Sequence, residues 1–271
     1  MSNGGLPSSG MQASSFSGNK NNKGKKDGFG IQKWKDGSTY KGNFTEGEAN
    51  GWGIFYYLDG DIFKGQFKNN MIIGYGEHSH VGGAIYYGYF LEEKLNGIGY
   101  EIWKENSIYY GNYKNWKKDG YGTCIWNDKT KYEGEWKNNN MEGFGIYYFK
   151  NGRVCKGQWK EGKVHGYGEF TWVEGKKYYG FYEMDKKDGF GIYYWPEEKI
   201  FIGFWKKGYQ HGNGKFIKGK QIKYCKWVNG KKDKIYLDEK EFFNNFEPNE
   251  KKFAVYFQWD INKIREYLDI K

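Results

Sequence analysis

The sequence predicts an all-β protein: an elongated, single-layer, twisted antiparallel meander of 23-residue hairpins with a short C-terminal helical cap. Three observations carry this reading. Glycine occurs 42 times and aromatics make up 21% of the chain, while hydrophobic residues as a whole reach only 38%. An aromatic-x-Gly triplet returns every 23 residues. Two clusters of turn residues fall inside each period. A globular enzyme of this length buries a core of Leu, Ile and Val, whereas here Phe, Tyr and Trp must supply most of the apolar area.

The triplets start at Tyr40, Phe63, Tyr86, Tyr109, Tyr132, Cys155, Tyr178, Phe201 and Tyr224, each taken as position 0. In the first eight, position 2 is Gly (Gly42 to Gly203) and position 4 is aromatic (Phe44 to Trp205). Positions 11 and 13 are Gly in the same eight, from Gly51 and Gly53 to Gly212 and Gly214. Position 17 is often a large ring, as in Trp103, Trp126, Trp172 and Trp195. A half repeat with Gly28-Phe29-Gly30 and Trp34 precedes the first full one. The ninth repeat is degenerate, with Lys226 at position 2 and Val228 at position 4.

Residues two apart on a strand share a face, so positions 0, 2 and 4 present ring, glycine, ring from one side. Glycine weakens a strand, and such regular glycines need a reason. Room is the expected one: without a Cβ, a neighbouring ring can lie flat on the backbone. Polar turns such as Lys137-Asn138-Asn139-Asn140 follow the first strand, and Asp59-Gly60, Asn151-Gly152 and Glu174-Gly175 mark a second turn. A helical reading fails because two or three interior glycines per repeat would cost about 1 kcal/mol each. Disorder fails because disordered chains lack such an aromatic load.

The pattern resembles the MORN (membrane occupation and recognition nexus) repeat family. Tyr132-Glu133-Gly134-Glu135-Trp136 followed by Gly143-Phe144-Gly145 matches its unit closely, and the resemblance runs from about Gly28 to Ile235. It implies a twisted sheet of hairpins and a scaffold that tethers membranes or cytoskeleton, sits in cilia or division rings, or docks helical peptides in a groove. Some members are accessory regions of lipid kinases or lysine methyltransferases; neither catalytic part is expected here. Lipid binding is a further implication of the family.

The domain reading is a flexible Gly/Ser/Asn/Lys tail over 1–26, the repeat array over 27–235, and a helical segment over 236–271. In the last, Asp238-x-x-Glu241 fits a capping box, and Phe253, Phe257, Ile261, Ile264 and Leu268 recur at helical spacing. This segment is read as a cap over an open sheet edge, with a docking helix as the alternative. No apolar run is long enough to cross a membrane as a helix, no secretory signal is read at the start, and the odd count of Cys124, Cys155 and Cys225 fits a reducing, cytoplasmic setting.

Net charge is +10, almost all of it lysine. The densest stretch, 199–234, holds eleven lysines against Asp233. Lys206, Lys207, Lys215, Lys218, Lys220, Lys223 and Lys226 are the candidate contacts for an acidic partner, an anionic membrane among them; a solvated surface is the alternative. Trp103, Trp126, Trp136, Trp159, Trp172, Trp195 and Trp205 are the candidate lining of a partner groove, against the plain reading that they pack the fold. His78 and His80 share a strand face but lack an evident third ligand, so no metal site is expected. The Gly-x-Gly elements precede no helix and are not phosphate loops. No cofactor, acid–base pair or specific nucleic-acid site is expected. The leading function is a non-catalytic scaffold of cytoskeleton, cilium or cortex that docks a peptide or helix in its aromatic trough. A peripheral membrane adaptor and an accessory subunit of an enzyme complex are the alternatives. An exposed first strand near Gly28 could pair edge to edge into a homodimer.

Overall fold

The computed structural model describes residues 13–260, 262–264 and 266. They divide into two compact units. One runs to Lys129 and includes Glu135–Asn139; the other comprises Thr130–Gly134 and the described residues from Asn140 onward.

The first unit holds β1 (Ala13–Lys20), β2 (Lys26–Trp34), β3 (Thr39–Thr45), β4 (Glu48–Tyr56), β5 (Ile62–Lys68), β6 (Met71–Ser79), β7 (Ile85–Leu91), β8 (Lys94–Ile102), β9 (Ile108–Lys114) and β10 (Lys117–Ile125). β11 (Lys131–Lys137) is divided between the units. The second unit holds β12 (Asn140–Tyr148), β13 (Val154–Lys160), β14 (Lys163–Thr171), β15 (Lys177–Glu183), β16 (Lys186–Trp195), β17 (Lys199–Lys206), β18 (Tyr209–Lys218), β19 (Gln221–Val228) and β20 (Lys231–Ile235). Within each unit the strands pair antiparallel in chain order. The fold is the all-β hairpin meander that the repeat predicts, followed by short helical stretches that include α1 (Glu239–Asn244) and α2 (Ala254–Phe257).

The register shows what the glycines do. Gly42 pairs with Gly53, and Gly53 with Gly65, so positions 2 and 13 form one glycine row through successive strands. A Cβ on Gly53 would fall within 2.6 Å of Tyr40 Cζ, because the position-0 ring lies flat over the pair. Tyr132 covers Gly134 and Gly145, and Phe201 covers Gly203 and Gly214, in the same way. Each such ring is then closed in edge-on by position 4 of its own repeat and of the next. Tyr40 meets Phe44 at 5.2 Å and Phe67 at 4.9 Å; Tyr178 meets Tyr182 at 5.2 Å and Trp205 at 5.5 Å. Edge-to-face pairs of this kind contribute about 0.5–1.5 kcal/mol each beyond their burial. Tyr40, Tyr109, Tyr132 and Tyr178 are fully buried although, among the described residues, no second layer covers this glycine face. Their hydroxyls remain satisfied: Tyr40 and Tyr109 donate to the carbonyls of Asn43 and Asn112 at 3.1 Å.

Position 11 has a different task from the one expected. Phe44 pairs with Ala49 and Gly42 with Gly53, so Asn50, Gly51 and Trp52 together face Asn43. This bulge bends the backbone to φ +90° at Gly51 and +108° at Gly120, where a side chain is strained. The glycine at position 11 serves the bulge, and only positions 2 and 13 make room for rings.

The first turn of each hairpin is a two-residue loop with both φ values positive, such as Asn138 (48°) and Asn139 (72°), the geometry whose twist matches the strands. Its second residue also clips onto the preceding repeat. Asn139 N donates to Lys118 O at 3.0 Å, and Asn139 Oδ1 accepts from Lys118 N at 2.8 Å. Asp185 and Val164 repeat this exchange at 2.9 and 2.8 Å.

Three boundaries differ from expectation. The half repeat is a whole hairpin: β1 pairs Gly18 with Gly30, and the Phe16 ring lies over Gly30. Residues 13–20 of the expected flexible tail are therefore a strand, while 1–12 lie outside the described residues. Among the described residues the edge strand is β1, and the strand through Gly28 is interior. The ninth repeat is slipped by one residue, since Gly214 pairs with Cys225 and Gly212 with Trp227. Cys225 and Trp227, not Lys226 and Val228, occupy positions 2 and 4, because a one-residue slip exchanges the faces of a strand. Finally, the C-terminal segment lies on a face of the sheet and not over its edge. The last strand, β20, is short, exposed and carries Lys231, Lys232 and Lys234, which guard an edge by charge. The capping box forms, with Asp238 Oδ1 accepting from Glu241 N at 2.8 Å. Ile261 and Leu268 of the expected apolar stripe lie outside the described residues; Phe257 and Ile264 are buried.

Position 9 decides how the ring row is filled. Lys187 projects its ammonium among Tyr193 (4.4 Å), Trp205 (4.7 Å), Tyr178 (4.9 Å) and Trp172 (5.4 Å). Burial pulls its pKa down to about 8, while the ring faces attract the charge. Lys118 lies similarly over Trp103 at 4.4 Å, with Glu101 at 3.4 Å.

Two expectations follow. Gly145→Ala should lower stability by about 1–3 kcal/mol in urea unfolding, because the new methyl overlaps the Tyr132 ring. Gly82→Ala, whose methyl meets nothing within 4 Å, should be neutral. Lys187→Met should raise stability at pH 7 by roughly 1–2 kcal/mol. Because the folded pKa lies below the unfolded one, the wild type sheds its penalty as pH rises from about 8 toward 10.5, so the advantage of the variant should shrink over that range. Equal gains at pH 7 and pH 10 would contradict this account.

Candidate functional site

Each unit has two faces of unlike chemistry. The glycine face carries positions 0, 2, 4, 13 and 15; the reverse face carries positions 1, 3, 12 and 14. The seven tryptophans singled out from the sequence all belong to the ring packing of the glycine face or its margin. Trp136, Trp159 and Trp205, at position 4, are buried. Trp136 and Trp159 donate Nε1–H to Gly122 O and Gly145 O at 3.1 Å. Trp103, Trp126, Trp172 and Trp195, at position 17, are half-buried. Trp103 closes over Lys118, and Trp172 over Lys187. Most of the row is thus filled from within.

It opens in the second unit. Val164 stands at position 9, one repeat before Lys187, in the repeat whose position 0 is Cys155 and carries no ring. A cleft of about 400 Å3 lies here, lined by Tyr147, Phe149, Trp159, Phe170 and Tyr182 together with Met141 and Val164. Arg153 and Asp185 stand at its rim. The Arg153 guanidinium lies 4.7 Å from the Phe149 ring, and Asp185 is held by Val164 N. The cleft therefore offers flat apolar walls with one cation and one carboxylate. Of the expected groove tryptophans only Trp159 lines it.

The reverse face has rings that the sequence reading left unassigned. Position 12 lies between the two glycines and projects away from the packed row. Phe29, Trp52, Tyr75, Ile98, Tyr121 and Phe144 are each about 60% exposed there. In the last repeats this stripe is covered by the chain itself. Phe190 is stacked on Phe253 at 4.7 Å and contacts Phe257 at 5.6 Å; Phe204 contacts Phe253 at 5.7 Å. Asn213, polar where the other repeats have an apolar side chain, is the anchor. Its amide donates to Glu250 Oε2 at 2.8 Å and to Asn245 O at 3.0 Å, and its oxygen accepts from Tyr236 OH at 2.6 Å.

The seven candidate lysines do not converge. Lys206 and Lys207 are exposed at the first-turn end of their hairpin, and Lys218 and Lys220 at the opposite end. Lys223 is exposed on the glycine face and Lys226 half-buried on the reverse face. Lys215 is buried, donates to Phe257 O at 2.7 Å and Trp259 O at 3.3 Å, and holds the C-terminal segment in place. It is a structural contact, which corrects its assignment to an acidic partner.

The thiols are buried; burial pushes Cys124 up to about 11 and Cys155 up to about 12, which makes both poor nucleophiles. His78 and His80 share a partner that sequence spacing did not reveal. Asp61, from the start of the same hairpin, places Oδ2 3.1 Å from His78 Nε2 and Oδ1 3.1 Å from His80 Nδ1. Burial holds His78 below its ordinary pKa. Among the described residues no three His, Cys, Asp or Glu side chains are arranged to hold a metal, and no helix is long and apolar enough to cross a membrane.

The chain is similar to the TCP10 domain of Danio rerio CPAP solved with a peptide of Danio rerio STIL: 10% identity, TM-score 0.48, covering 82% of this chain and 99% of that one. It is also similar to the Drosophila melanogaster SAS-4 (dCPAP) TCP domain solved with a proline-rich motif of Ana2 (dSTIL): 14% identity, TM-score 0.31, covering 74% of this chain and 99% of that one. No curated protein matches it significantly in sequence. The MORN repeat model matches residues 22–39, 40–62, 109–131, 132–152, 155–177, 178–197 and 201–220, more than half of the chain. These matches fall in register with the glycine row, and the chain belongs to the MORN repeat family.

Proposed function

We propose that this chain is a non-catalytic protein-interaction scaffold that grips a partner peptide in the aromatic cleft of its second unit. The observation that carries the reading is the contrast between Val164 and Lys187. The repeat that starts at Tyr178 is plugged by Lys187, whereas the preceding one has Cys155 in place of the ring and Val164 in place of the lysine, and holds the cleft. Rigid rings give contact area at little entropic cost, and the rim pair Arg153 and Asp185 can orient a peptide backbone or a charged side chain. A membrane-adaptor reading gains no support, because the exposed lysines are distributed over both faces and both ends of their hairpins. The cytoskeletal or ciliary setting rests on the family; imaging of the endogenously tagged protein tests it, and a diffuse signal would count against it.

Val164→Lys tests the cleft, since it installs the plug that the next repeat already uses. The variant should melt within a few degrees of the wild type. Peptides selected by display on the full-length wild-type chain should lose at least about tenfold in affinity for it. Unchanged binding would remove the cleft as the site, and an unfolded variant is replaced by Tyr147→Ala, which strips one wall.

A further inference from the structure

The reverse face carries a second apolar patch, four repeats upstream of the one that the C-terminal segment covers. In four repeats positions 1 and 3 on this face are both polar: Lys41 and Asn43, Lys64 and Gln66, Glu133 and Glu135, Lys156 and Gln158. They turn apolar together at two places, the first of which extends over two successive repeats, since Ile202 and Phe204 follow Tyr179 and Phe181. One place is Tyr179 and Phe181, which with Phe190 and Ile192 receive Phe253, Tyr256 and Phe257. The other is Tyr87 and Tyr89, which with Ile98 and Tyr100 form the equivalent quartet in the first unit.

The two sites share their register. Tyr179, Ile192 and Ile202 are cross-strand neighbours, as are Tyr87, Tyr100 and Tyr110. The first row is buried; the second is open. Tyr75 is 64% exposed, Tyr87 38%, Ile98 58%, Tyr110 56% and Tyr121 60%. Nearby Glu77 is held by Lys64 at 3.0 Å, so the patch is nearly free of unpaired charge.

We propose that this tyrosine patch is a docking surface whose occupant is a short helical segment of a partner protein. That segment presents aromatic side chains at i, i+3 and i+4 on an uncharged side. The chain itself shows what such a surface receives: Phe253, Tyr256 and Phe257 have this spacing and reach the equivalent positions in the second unit. The area argues against a second copy of the chain. The five side chains expose on the order of 600 Å2, short of the roughly 800 Å2 per partner of a stable protein–protein interface and ample for a two-turn helix. The surface is separate from the cleft at Val164, so the two can fail independently.

The test uses the full-length chain and a fluorescein-labelled synthetic peptide copying residues 238–260. Anisotropy should show saturable one-to-one binding. The double variant Ile98→Lys with Tyr110→Lys should weaken it at least about tenfold with an unchanged melting curve, as both side chains face solvent. Val164→Lys should leave it unaffected, and a peptide carrying Phe253→Ala and Phe257→Ala should not bind. The pair Tyr87→Lys with Tyr121→Lys repeats the measurement should the first pair disturb folding. The proposal is overturned by absence of binding, or by binding insensitive to the patch variants, which would mean that the peptide displaces the chain's own segment. It is equally overturned by patch-dependent dimerisation in sedimentation or patch-dependent binding to lipid vesicles.

Discussion

The fold depends on a ring resting where two Cβ atoms are missing. Among the described residues nothing forms a second layer over the glycine face, so apolar area there is hidden by the sheet's own side chains. A tyrosine or phenylalanine at position 0 can do this only by lying down, and it can lie down only if the backbone beneath it is bare. Glycines at positions 2 and 13 face each other through the register, so a ring such as Tyr40, Tyr132 or Phe201 covers a pair of strands and not just its own. Position 4 of two successive repeats then walls the ring at both edges. Burial in this protein is therefore a property of neighbouring hairpins and not of any one of them, as expected for repeat arrays.

With that scaffold fixed, two other positions set the character of each face. Position 9 governs the glycine face. A long lysine threads between the rings and closes the row, as at Lys118 and Lys187; the cleft lies where Val164 stands at this position and Cys155 replaces the position-0 ring. Position 12 governs the reverse face, where the bulge turns it outward. Rings there stay exposed until something covers them, and at Phe190 and Asn213 the chain covers its own. The strand architecture is constant while the surfaces differ, so specificity is written at a few variable positions on an invariant frame.

Much of this was legible in the sequence. The period of 23, the strand assignments and both turns follow from alternation and from turn residues alone. What escaped did so for identifiable reasons. β1 was hidden because Phe16-Ser17-Gly18 precedes Tyr40-Lys41-Gly42 by 24 residues, one off the period. The slip in the ninth repeat arises from the tight turn that pairs Lys218 with Gln221, which shortens the repeat by one residue and exchanges its faces. The cleft is marked in the sequence by Cys155, the one position 0 without a ring, together with Val164 at position 9. The covered stripe is not legible from the glycine spacing, which says nothing of what lies over the residue between positions 11 and 13. Asn213, the polar side chain at a site otherwise held by rings or Ile98, marked where the chain returns. Lys215 could not be told from its surface neighbours by composition, since its partners are backbone carbonyls 42 and 44 residues away.

The clip between each first turn and the preceding repeat gives assembly a direction. A turn residue donates backward, to a carbonyl already placed in the hairpin before it, as Asn139 does to Lys118 and Asp185 to Val164. A nascent chain emerges from the ribosome amino end first, so every new hairpin meets a finished template and none has to wait for a later one to supply its first contact. Growth by accretion keeps few strands unpaired at any moment. One place departs from this order: Phe190, Phe204 and Asn213 stand bare until the segment that carries Glu250, Phe253 and Phe257 has emerged, which makes the interval before it appears the one of greatest stickiness for this face.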